Sequence, residues 1–170
     1  TVVILAGGLG TRLHPMVPNR PKVLAEVLGR PFLTYLLDQL DHAGAREVVL
    51  CTGYMADSVK EEIGNSYKSL CIKHSMEDAP LGTGGALRLA LPLIKSETVM
   101  VMNGDSYLNA DLKTFLRWFL RKNIVAALLL AKALDTSRYG KVIIASDDRV
   151  ETFEEKGRSE GEGLINAGIY

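Results

Sequence analysis

Apolar residues along this chain form short continuous runs that alternate with stretches of helical periodicity. Apolar runs of this length, rich in β-branched residues, are typical of strands that are buried on both faces. They predict strands at residues 2–4, 48–50, 70–72, 99–102 and 125–130. Strands that alternate with helices favour a doubly wound α/β fold, in which helices cover both faces of a mostly parallel sheet.

The helices between these strands are predicted from apolar spacing and from the residues at their ends. Leucines recur at helical spacing over residues 33–40, between Pro31, which suits a first helical turn, and Gly44, which suits a C-cap. A second helix over residues 59–63 ends at Gly64. Two further helices are predicted at residues 85–91 and 112–120.

The last third of the chain has a different pattern. Short strands are predicted at residues 141–145, 150–153 and 164–170, around a polar turn at Asp147 and Asp148 and a glycine-containing segment at 157–163. These strands indicate a β-rich lid or platform near the C-terminus. Because no linker or repeat interrupts the chain, we expect a single domain from residue 1 to residue 170.

Charge and composition narrow the function classes. The 20 lysines and arginines balance the 20 aspartates and glutamates, so no overall field favours nucleic acid or a membrane as partner. The opening apolar run is too short for a signal peptide, and no stretch reaches the ~20 apolar residues of a membrane span, so we expect a cytoplasmic protein. Cys51 and Cys71 lack metal-ligand spacing and are predicted to be small, reduced core residues.

A glycine-rich loop follows the first predicted strand. It reads LAGGLGTR from Leu5 to Arg12. The backbone N–H groups of such a turn, with the charges of Arg12, Arg20 and Lys22, would form a cradle for polyphosphate. The loop lacks the lysine of a Walker loop, and Leu13 replaces the third glycine of the dinucleotide fingerprint. A plain tight turn is the alternative for the glycines, but it does not account for the basic residues.

Carboxylates follow two other predicted strands. Asp105 comes just past a buried strand, where a carboxylate can hold Mg²⁺ together with phosphate oxygens; a turn aspartate or helix cap is the alternative. Glu77 opens a loop rich in proline and glycine, where a carboxylate would accept from two donors of guanine that adenine lacks. Solvation of Glu77 or of the neighbouring Asp78 is the alternative there. Because ligands in such folds bind beyond the carboxyl ends of the parallel strands, we expect the loop after Leu5 and the segment after Met102 to meet at one crevice.

The motifs, in their order and spacing, resemble those of the sugar-1-phosphate nucleotidylyltransferases. They read LAGGLGTRL, RPK, PLGTGG, NGD, EEKG and INAGIY, and they span nearly the whole chain. The Glu77 loop, residues 135–140 and residues 163–166 are most similar to the branch of that family that acts on D-glycero-D-manno-heptose 1-phosphate and GTP. The resemblance implies a Rossmann-like nucleotidyltransferase fold with a β-rich sugar-binding portion near the C-terminus.

The resemblance also implies a reaction and a set of site residues. The sugar 1-phosphate attacks the α-phosphorus of GTP in line, so that GDP-heptose and pyrophosphate form with Mg²⁺ as cofactor. Arg12, Lys22 and Asp105 are the implied catalytic residues, and Asp105 is the implied metal ligand. The implied nucleotide-binding residues are Leu5, Ala6, Gly7, Gly8, Gly10, Thr11, Glu77, Gly82 and Thr83. The implied sugar phosphate-binding residues are Gly140, Glu155, Lys156 and Asn166.

Several alternatives stay open on the sequence. The acceptor could be mannose 1-phosphate, or the transferred group a uridylyl, thymidylyl or cytidylyl group. From another class, the chain could be a non-catalytic regulatory subunit that binds a nucleotide sugar. A homo-oligomer is compatible with the sequence. For Lys156 and the glutamates beside it, the alternative is an exposed charged face without a binding role. Family members usually continue beyond residues 166–170 and supply a second metal-binding aspartate, so we expect the chain to be truncated at its C-terminal end.

Overall fold

The protein is represented by a computed structural model that describes residues 1–8, 20–157 and 161–170. The chain divides into two compact units, Thr1–Trp118 and Phe119–Tyr170. That the two units make up the single expected domain stays a prediction. None of the helices in the described part of the chain is long and apolar enough to cross a membrane.

The first unit contains seven strands among its described residues, and four helices begin in it. The strands are β1 (Val2–Leu5), β2 (Glu26–Val27), β3 (Arg30–Pro31), β4 (Glu47–Thr52), β5 (Ser66–Tyr67), β6 (Leu70–Met76) and β7 (Met100–Asn103). The helices are α1 (Phe32–Ala43), α2 (Ala56–Ile63), α3 (Gly82–Ala90) and α4 (Leu112–Lys122), the last of which continues into the second unit.

Five strands form one sheet in the order β5-β6-β4-β1-β7. The strands β6, β4, β1 and β7 run parallel, whereas the short β5 pairs antiparallel with β6. The chain thus adds strands outward from β1 in one direction and then returns to place β7 on the other side of β1. In doubly wound sheets, ligands bind beyond the carboxyl ends of the strands at such a reversal. Leu5 lies opposite Asn103 at this point.

Helices cover both faces of the sheet, because side chains of each strand point alternately to either side. On one face Val3, Val49 and Cys51 pack with Ala90 of α3. On the other face, Ile4 lies close to Val23 of a short 3₁₀ turn, Lys22–Leu24, against which α1 packs. The predicted doubly wound, mostly parallel α/β fold is therefore confirmed.

The predicted helices are present, and glycines end two of them as expected. Gly44 follows α1 with φ +83°, a conformation that glycine adopts without strain, and its N–H donates to the carbonyl of Asp41. Gly64 follows α2, also with a positive φ of +71°, and its N–H donates to the carbonyl of Lys60. Pro31 differs from the prediction, because its extended ψ of 132° places it before the first helical turn, at the end of β3.

The second unit contains two antiparallel pairs of strands in its described residues. β8 (Leu130–Ala133) pairs with β11 (Gly163–Asn166), and β9 (Lys141–Ile144) pairs with β10 (Val150–Glu154). The pairs contact each other through β9 and β11. This unit contains the β-rich portion that the end of the sequence predicts.

Three expectations are wrong in detail. No strand covers residues 125–129, since Val125 is fully exposed and ladder pairing begins only at Leu130. The strand expected at 164–170 ends at Asn166, because Asn166 Oδ1 accepts the N–H of Gly168 at 2.9 Å and turns the chain. Cys51 is buried as predicted, but Cys71 is exposed, because it lies on the side of β6 that faces away from the core.

Candidate active site

The loop after β1 is held against the neighbouring strand at the carboxyl edge of the sheet. Ala6 donates its N–H to the carbonyl of Cys51 at 2.7 Å, which continues the parallel ladder one residue beyond Leu5. Gly7 and Gly8 follow, and Gly8 is exposed. The structure thus places Leu5, Ala6, Gly7 and Gly8 at the reversal in strand order. Three further predicted site residues lie outside the described residues: Gly10, Thr11 and Arg12.

A glycine brings the end of β7 against this loop. Gly104 donates its N–H to the carbonyl of Leu5 at 2.8 Å. A Cβ added at Gly104 would lie 2.7 Å from the same oxygen and 3.2 Å from both Ile4 Cγ2 and Val23 Cγ1. Any side chain there would push the two strand ends apart, because a backbone oxygen cannot move aside as a flexible side chain can. Because Gly104 has no side chain, Asp105 can lie beside the loop that follows β1.

Lys22 and Asp105 form an ion pair at this edge, although they are 83 residues apart in sequence. Lys22 Nζ lies 2.6 Å from Asp105 Oδ2. The 3₁₀ turn that carries Lys22 is anchored by Val23 and Leu24, which are 3% and 1% exposed. Two of the predicted catalytic residues, drawn from separate motifs, are thus brought into direct contact.

The surroundings of Asp105 favour its charged form. Partial burial raises the pKa of Asp105, but the hydrogen bond and charge of Lys22 outweigh it and hold that pKa below the usual value. Ser106 Oγ also donates to Asp105 Oδ1, at 3.3 Å. The side chain stays 45% exposed, so the carboxylate is ionised and accessible at neutral pH.

Arg20 lies two residues before Lys22, but its charge is directed elsewhere. Its guanidinium lies 2.7 Å from Glu26 Oε1 and 3.4 Å from Glu62 Oε2, so it joins the 3₁₀ turn to β2 and α2. Two carboxylates neutralise this charge. We therefore do not count Arg20 in the phosphate cradle that the sequence predicts.

The side chain of Glu77 extends across the ends of two strands. Glu77 follows β6, and its carboxylate approaches both Gly7 after β1 and Gly53 after β4. Its Oε2 atom accepts the backbone N–H of Leu81 at 3.2 Å. The charge of Glu77 adds to burial in raising the pKa of the Cys51 thiol to about 11, so that thiol is protonated and unreactive.

The loop after Glu77 leads into the N-terminus of α3. Gly82 is its first residue, with φ +70°, and both Gly82 and Thr83 are exposed. Their N–H groups belong to the first helical turn, where backbone donors lack partners within the helix. The structure thus connects these two predicted residues to the Glu77 end of the crevice.

The predicted sugar phosphate-binding residues all lie in the second unit. A Cβ added at Gly140 would lie 2.5 Å from the carbonyl oxygen of Glu154 and 3.5 Å from the N atom of Lys156. Gly140 thereby packs against the segment that carries Glu155 and Lys156, both exposed. Asn166 lies on β11, where its Nδ2 donates to Tyr170 Oη at 2.7 Å.

The donor set at Asp105 suits one kind of metal ion. Residues 1–8, 20–157 and 161–170 contain no group of three or more His, Cys, Asp or Glu side chains that could hold a metal. Mg²⁺ does not require such a cage, because it prefers one or two carboxylates together with substrate phosphates and water. The single accessible carboxylate of Asp105 fits this ion when phosphate oxygens complete the coordination.

A separate cavity of about 460 Å³ lies between α1 and residues 107–113. None of the described residues that the motifs predict for the site lines it. Volume alone does not identify a reaction centre, so the candidate site is placed where Lys22, Asp105 and Glu77 stand at the strand ends.

Sequence reasoning missed two residues at this edge. Ser106 is adjacent to Asp105 and could have been found as a neighbouring hydroxyl. Gly53 was missed because the predicted strand stopped at residue 50, whereas β4 continues to Thr52. A glycine directly after a strand at the shared edge was the available signal.

Comparisons with known proteins identify the family of the chain. The family model described as Nucleotidyl transferase matches residues 1–170. The chain is 38% identical to a D-glycero-alpha-D-manno-heptose 1-phosphate guanylyltransferase of Aneurinibacillus thermoaerophilus, over 99% of this chain and 72% of that protein. It is 37% identical to a mannose-1-phosphate guanylyltransferase of Mycobacterium tuberculosis, over 99% of this chain and 47% of that protein. The crystal structure of HddC from Yersinia pseudotuberculosis complexed with GMP-PN is similar with a TM-score of 0.82 and 36% identity, over 99% of this chain and 74% of that one.

Proposed function

The chain belongs to the nucleotidyl transferase family, and from that premise we propose that it transfers a guanylyl group from GTP to D-glycero-alpha-D-manno-heptose 1-phosphate. The products are GDP-heptose and pyrophosphate. The heptose-specific relative at 38% identity and the similar structure complexed with GMP-PN support this choice of substrates. Because GTP and sugar phosphates are highly charged and do not cross membranes unaided, we place the reaction in the cytoplasm.

The observation that carries the proposal is the contact between Lys22 and Asp105. A cation and a carboxylate from motifs 83 residues apart stand 2.6 Å from each other at the point where the strand order reverses. Transfer between two phosphates requires both kinds of charge in one place. A structural ion pair elsewhere on the surface would carry no such implication.

The main obstacle to the reaction is the mutual repulsion of two anions, so no protein nucleophile is needed. Lys22 would place its ammonium beside the α-phosphate of GTP, and Arg12 would stabilise the departing pyrophosphate. Asp105 would hold Mg²⁺, which when bound supplies charge neutralisation to the phosphates. Holding both substrates in line contributes ~7–11 kcal/mol through proximity.

Glu77 would recognise the base. Its carboxylate can only accept hydrogen bonds, and guanine presents two adjacent donors on its Watson–Crick edge. Adenine presents an acceptor at the matching ring nitrogen, which a carboxylate repels. Backbone groups of Leu5 to Gly8, Gly82 and Thr83 would hold the rest of the nucleotide, with Gly10 and Thr11.

The second unit would bind the sugar phosphate. Lys156 would face the phosphate with its ammonium, and Glu155 and Asn166 would accept or donate at the sugar hydroxyls. Gly140 would let the segment that carries these residues pack close against its own backbone. We propose these roles from the family motifs and from the packing of Gly140 on that segment.

Pyrophosphate release tests the proposed function. We would measure it with GTP, ATP, UTP, dTTP and CTP, each against heptose, mannose and glucose 1-phosphates, with and without Mg²⁺. The expected result is the highest kcat/KM for GTP with the heptose phosphate, and no release without Mg²⁺. A preference for mannose 1-phosphate would show that this sugar phosphate, and not the heptose phosphate, is the acceptor. Binding of nucleotide sugars without any release would contradict an enzyme and favour a regulatory subunit.

Replacement of Glu77 by glutamine tests the recognition of the base. Glu77→Gln keeps the size of the side chain but introduces a donor, so the ratio of kcat/KM for GTP over ATP should fall about 10- to 100-fold. Asp78→Asn is the matched control, because Asp78 is the exposed neighbour and should leave that ratio unchanged. Loss of the ratio in Asp78→Asn alone would show that the wrong carboxylate has been assigned.

A further inference from the structure

Gly53 lies directly under the Glu77 side chain, at the end of β4. A Cβ added at Gly53 would lie 2.8 Å from Glu77 Oε1 and 2.9 Å from Glu77 Cγ. Real Cβ atoms do not approach other atoms this closely. Gly53 is not among the glycines with positive φ, so its backbone conformation is open to other residues. Glycine is therefore required at residue 53 for a steric reason, because any larger residue would clash with the side chain of Glu77.

The backbone of Glu77 is not free to move away from this contact. Its N–H donates to the carbonyl of Thr52 at 2.8 Å, which continues the parallel pairing of β4 with β6. The carboxylate is held as well, because Oε2 accepts the N–H of Leu81 at 3.2 Å. An added side chain at residue 53 would thus be accommodated by rotation of the Glu77 side chain, with loss of the bond to Leu81.

Gly7 completes the surface beneath the carboxylate. A Cβ added at Gly7 would lie 2.7 Å from Glu77 Oε1 and 3.4 Å from the N atom of Gly53. The two glycines therefore form one floor, which we call the glycine floor, across the ends of β1 and β4. The glycine floor determines the position and orientation of the Glu77 carboxylate at the candidate nucleotide site.

We infer that Gly53 determines the specificity of the enzyme for guanine, because it leaves, together with Gly7, the space in which Glu77 reaches the base. The inference rests on the proposed function and adds to it a residue that positions the base-reading group without contacting the substrate itself. Hydrogen bonds weaken steeply when donor and acceptor are misaligned. A displaced Glu77 would consequently lose its advantage for guanine.

Stability and specificity should respond differently to a change at Gly53. Glu77 is partly exposed and its side chain has several rotatable bonds, so turning it outward costs little folding free energy. Base selection, in contrast, depends on the position of its two oxygens. A purely structural glycine would give the opposite result, a large loss of stability with the preference for GTP retained.

Gly53→Ala is the test, measured as kcat/KM for GTP and for ATP at saturating heptose phosphate and Mg²⁺. The ratio should fall about 10- to 100-fold, with the KM for the sugar phosphate unchanged. The melting temperature should stay within about 3 °C of the wild-type value. Gly29→Ala, in the turn between β2 and β3 and outside the motifs of the site, is the control, because a Cβ at Gly29 meets no atom within 4 Å, and the ratio should not change.

A double variant shows whether Gly53 acts through Glu77. In the Glu77→Gln background, Gly53→Ala should lower the GTP to ATP ratio no further, because the group it positions is already lost. If the wild type prefers GTP and Gly53→Ala keeps that preference, the inference is overturned and the proposed function stands. A steep fall in melting temperature would also overturn it. If the wild type uses ATP as well as GTP, the proposed function itself fails.

Discussion

Lys22 and Asp105 each have two roles, one toward each other and one toward the substrate. Each neutralises the other, and each presents the charge that a phosphate group or its cation would require. Their side chains are 32% and 45% exposed, and ion pairs this accessible contribute at most about 1 kcal/mol to stability. Changes at either residue should therefore affect catalysis far more than folding.

Asp105→Asn tests this separation. The substitution keeps the size of the side chain and removes its charge, so we expect kcat to fall by at least about 100-fold. The melting temperature should change by less than about 3 °C, because the lost pair contributes little to folding. Asp57→Asn, at an exposed position on α2, is the control and should retain full turnover. Retained turnover in Asp105→Asn would remove this residue from the site.

At this scale the sequence predicts residue types better than it predicts partners. Asp105, Glu77 and Lys22 stand out because each lies in a loop near a strand end or a motif. The engagement of Arg20 by Glu26 and Glu62 could not be predicted, because it depends on how α2 approaches the 3₁₀ turn. The contact of Gly53 with Glu77 depends in the same way on the pairing of β4 with β6.

Among the elements, α1 is joined to two strand segments by Asp38. The carboxylate of Asp38 lies 2.7 Å from Arg30 Nη2 at β3 and 2.6 Å from Lys68 Nζ in the β5–β6 turn. Tyr67 donates to it as well, at 2.9 Å. Burial raises the pKa of Asp38, but the hydrogen bonds from Lys68, Arg30 and Tyr67 outweigh it and lower that pKa to about 2.

Asp38→Asn should therefore destabilise the fold in a way that depends on pH. The pKa of Asp38 is lower in the folded chain than its ordinary value of 3.8, so the stabilisation is complete above that value and is lost as pH falls towards 2. The pKa difference corresponds to about 2 kcal/mol at pH 7. Denaturant unfolding of both proteins from pH 7 to pH 2 measures it. The difference should shrink below about pH 4, and a constant difference would contradict this origin.

Elements differ in how well their patterns predict them. α1 was predicted because four buried leucines, a preceding proline and Gly44 all indicate the same helix. β2, β3 and β5 have two residues each, too few to show a period. The strand expected at residues 125–130 failed because apolar residues alone do not make a strand; a partner must pair with them, and β11 pairs only from Leu130 onward.

For the whole molecule, the order of the strands explains how distant motifs converge. The strand order places β7 beside β1 after three strands have been added on the other side. The carboxyl edge of such a sheet can be predicted from the alternation of strands and helices alone. The 2.6 Å contact between Lys22 and Asp105 cannot be predicted in this way. It depends on Gly104, which has no side chain to clash with the carbonyl of Leu5.

Removal of divalent metal tests the protein as a whole. Because the described residues contain no cluster that would hold a metal by itself, the fold should not depend on one. EDTA should abolish pyrophosphate release, excess Mg²⁺ should restore it, and the melting temperature of the protein alone should shift by less than about 2 °C. A large drop in melting temperature on chelation would instead indicate a structural metal ion.

The pairing of Lys22 with Asp105 has a consequence for what enters the crevice. A lone phosphate that draws Lys22 away leaves Asp105 without its partner, and a lone cation that draws Asp105 away leaves Lys22 without its partner, so each loses the contribution of the pair, at most about 1 kcal/mol. A nucleotide already carrying its counter-ion replaces both partners together. We therefore expect the pair to favour binding of the triphosphate together with its cation over binding of either one alone.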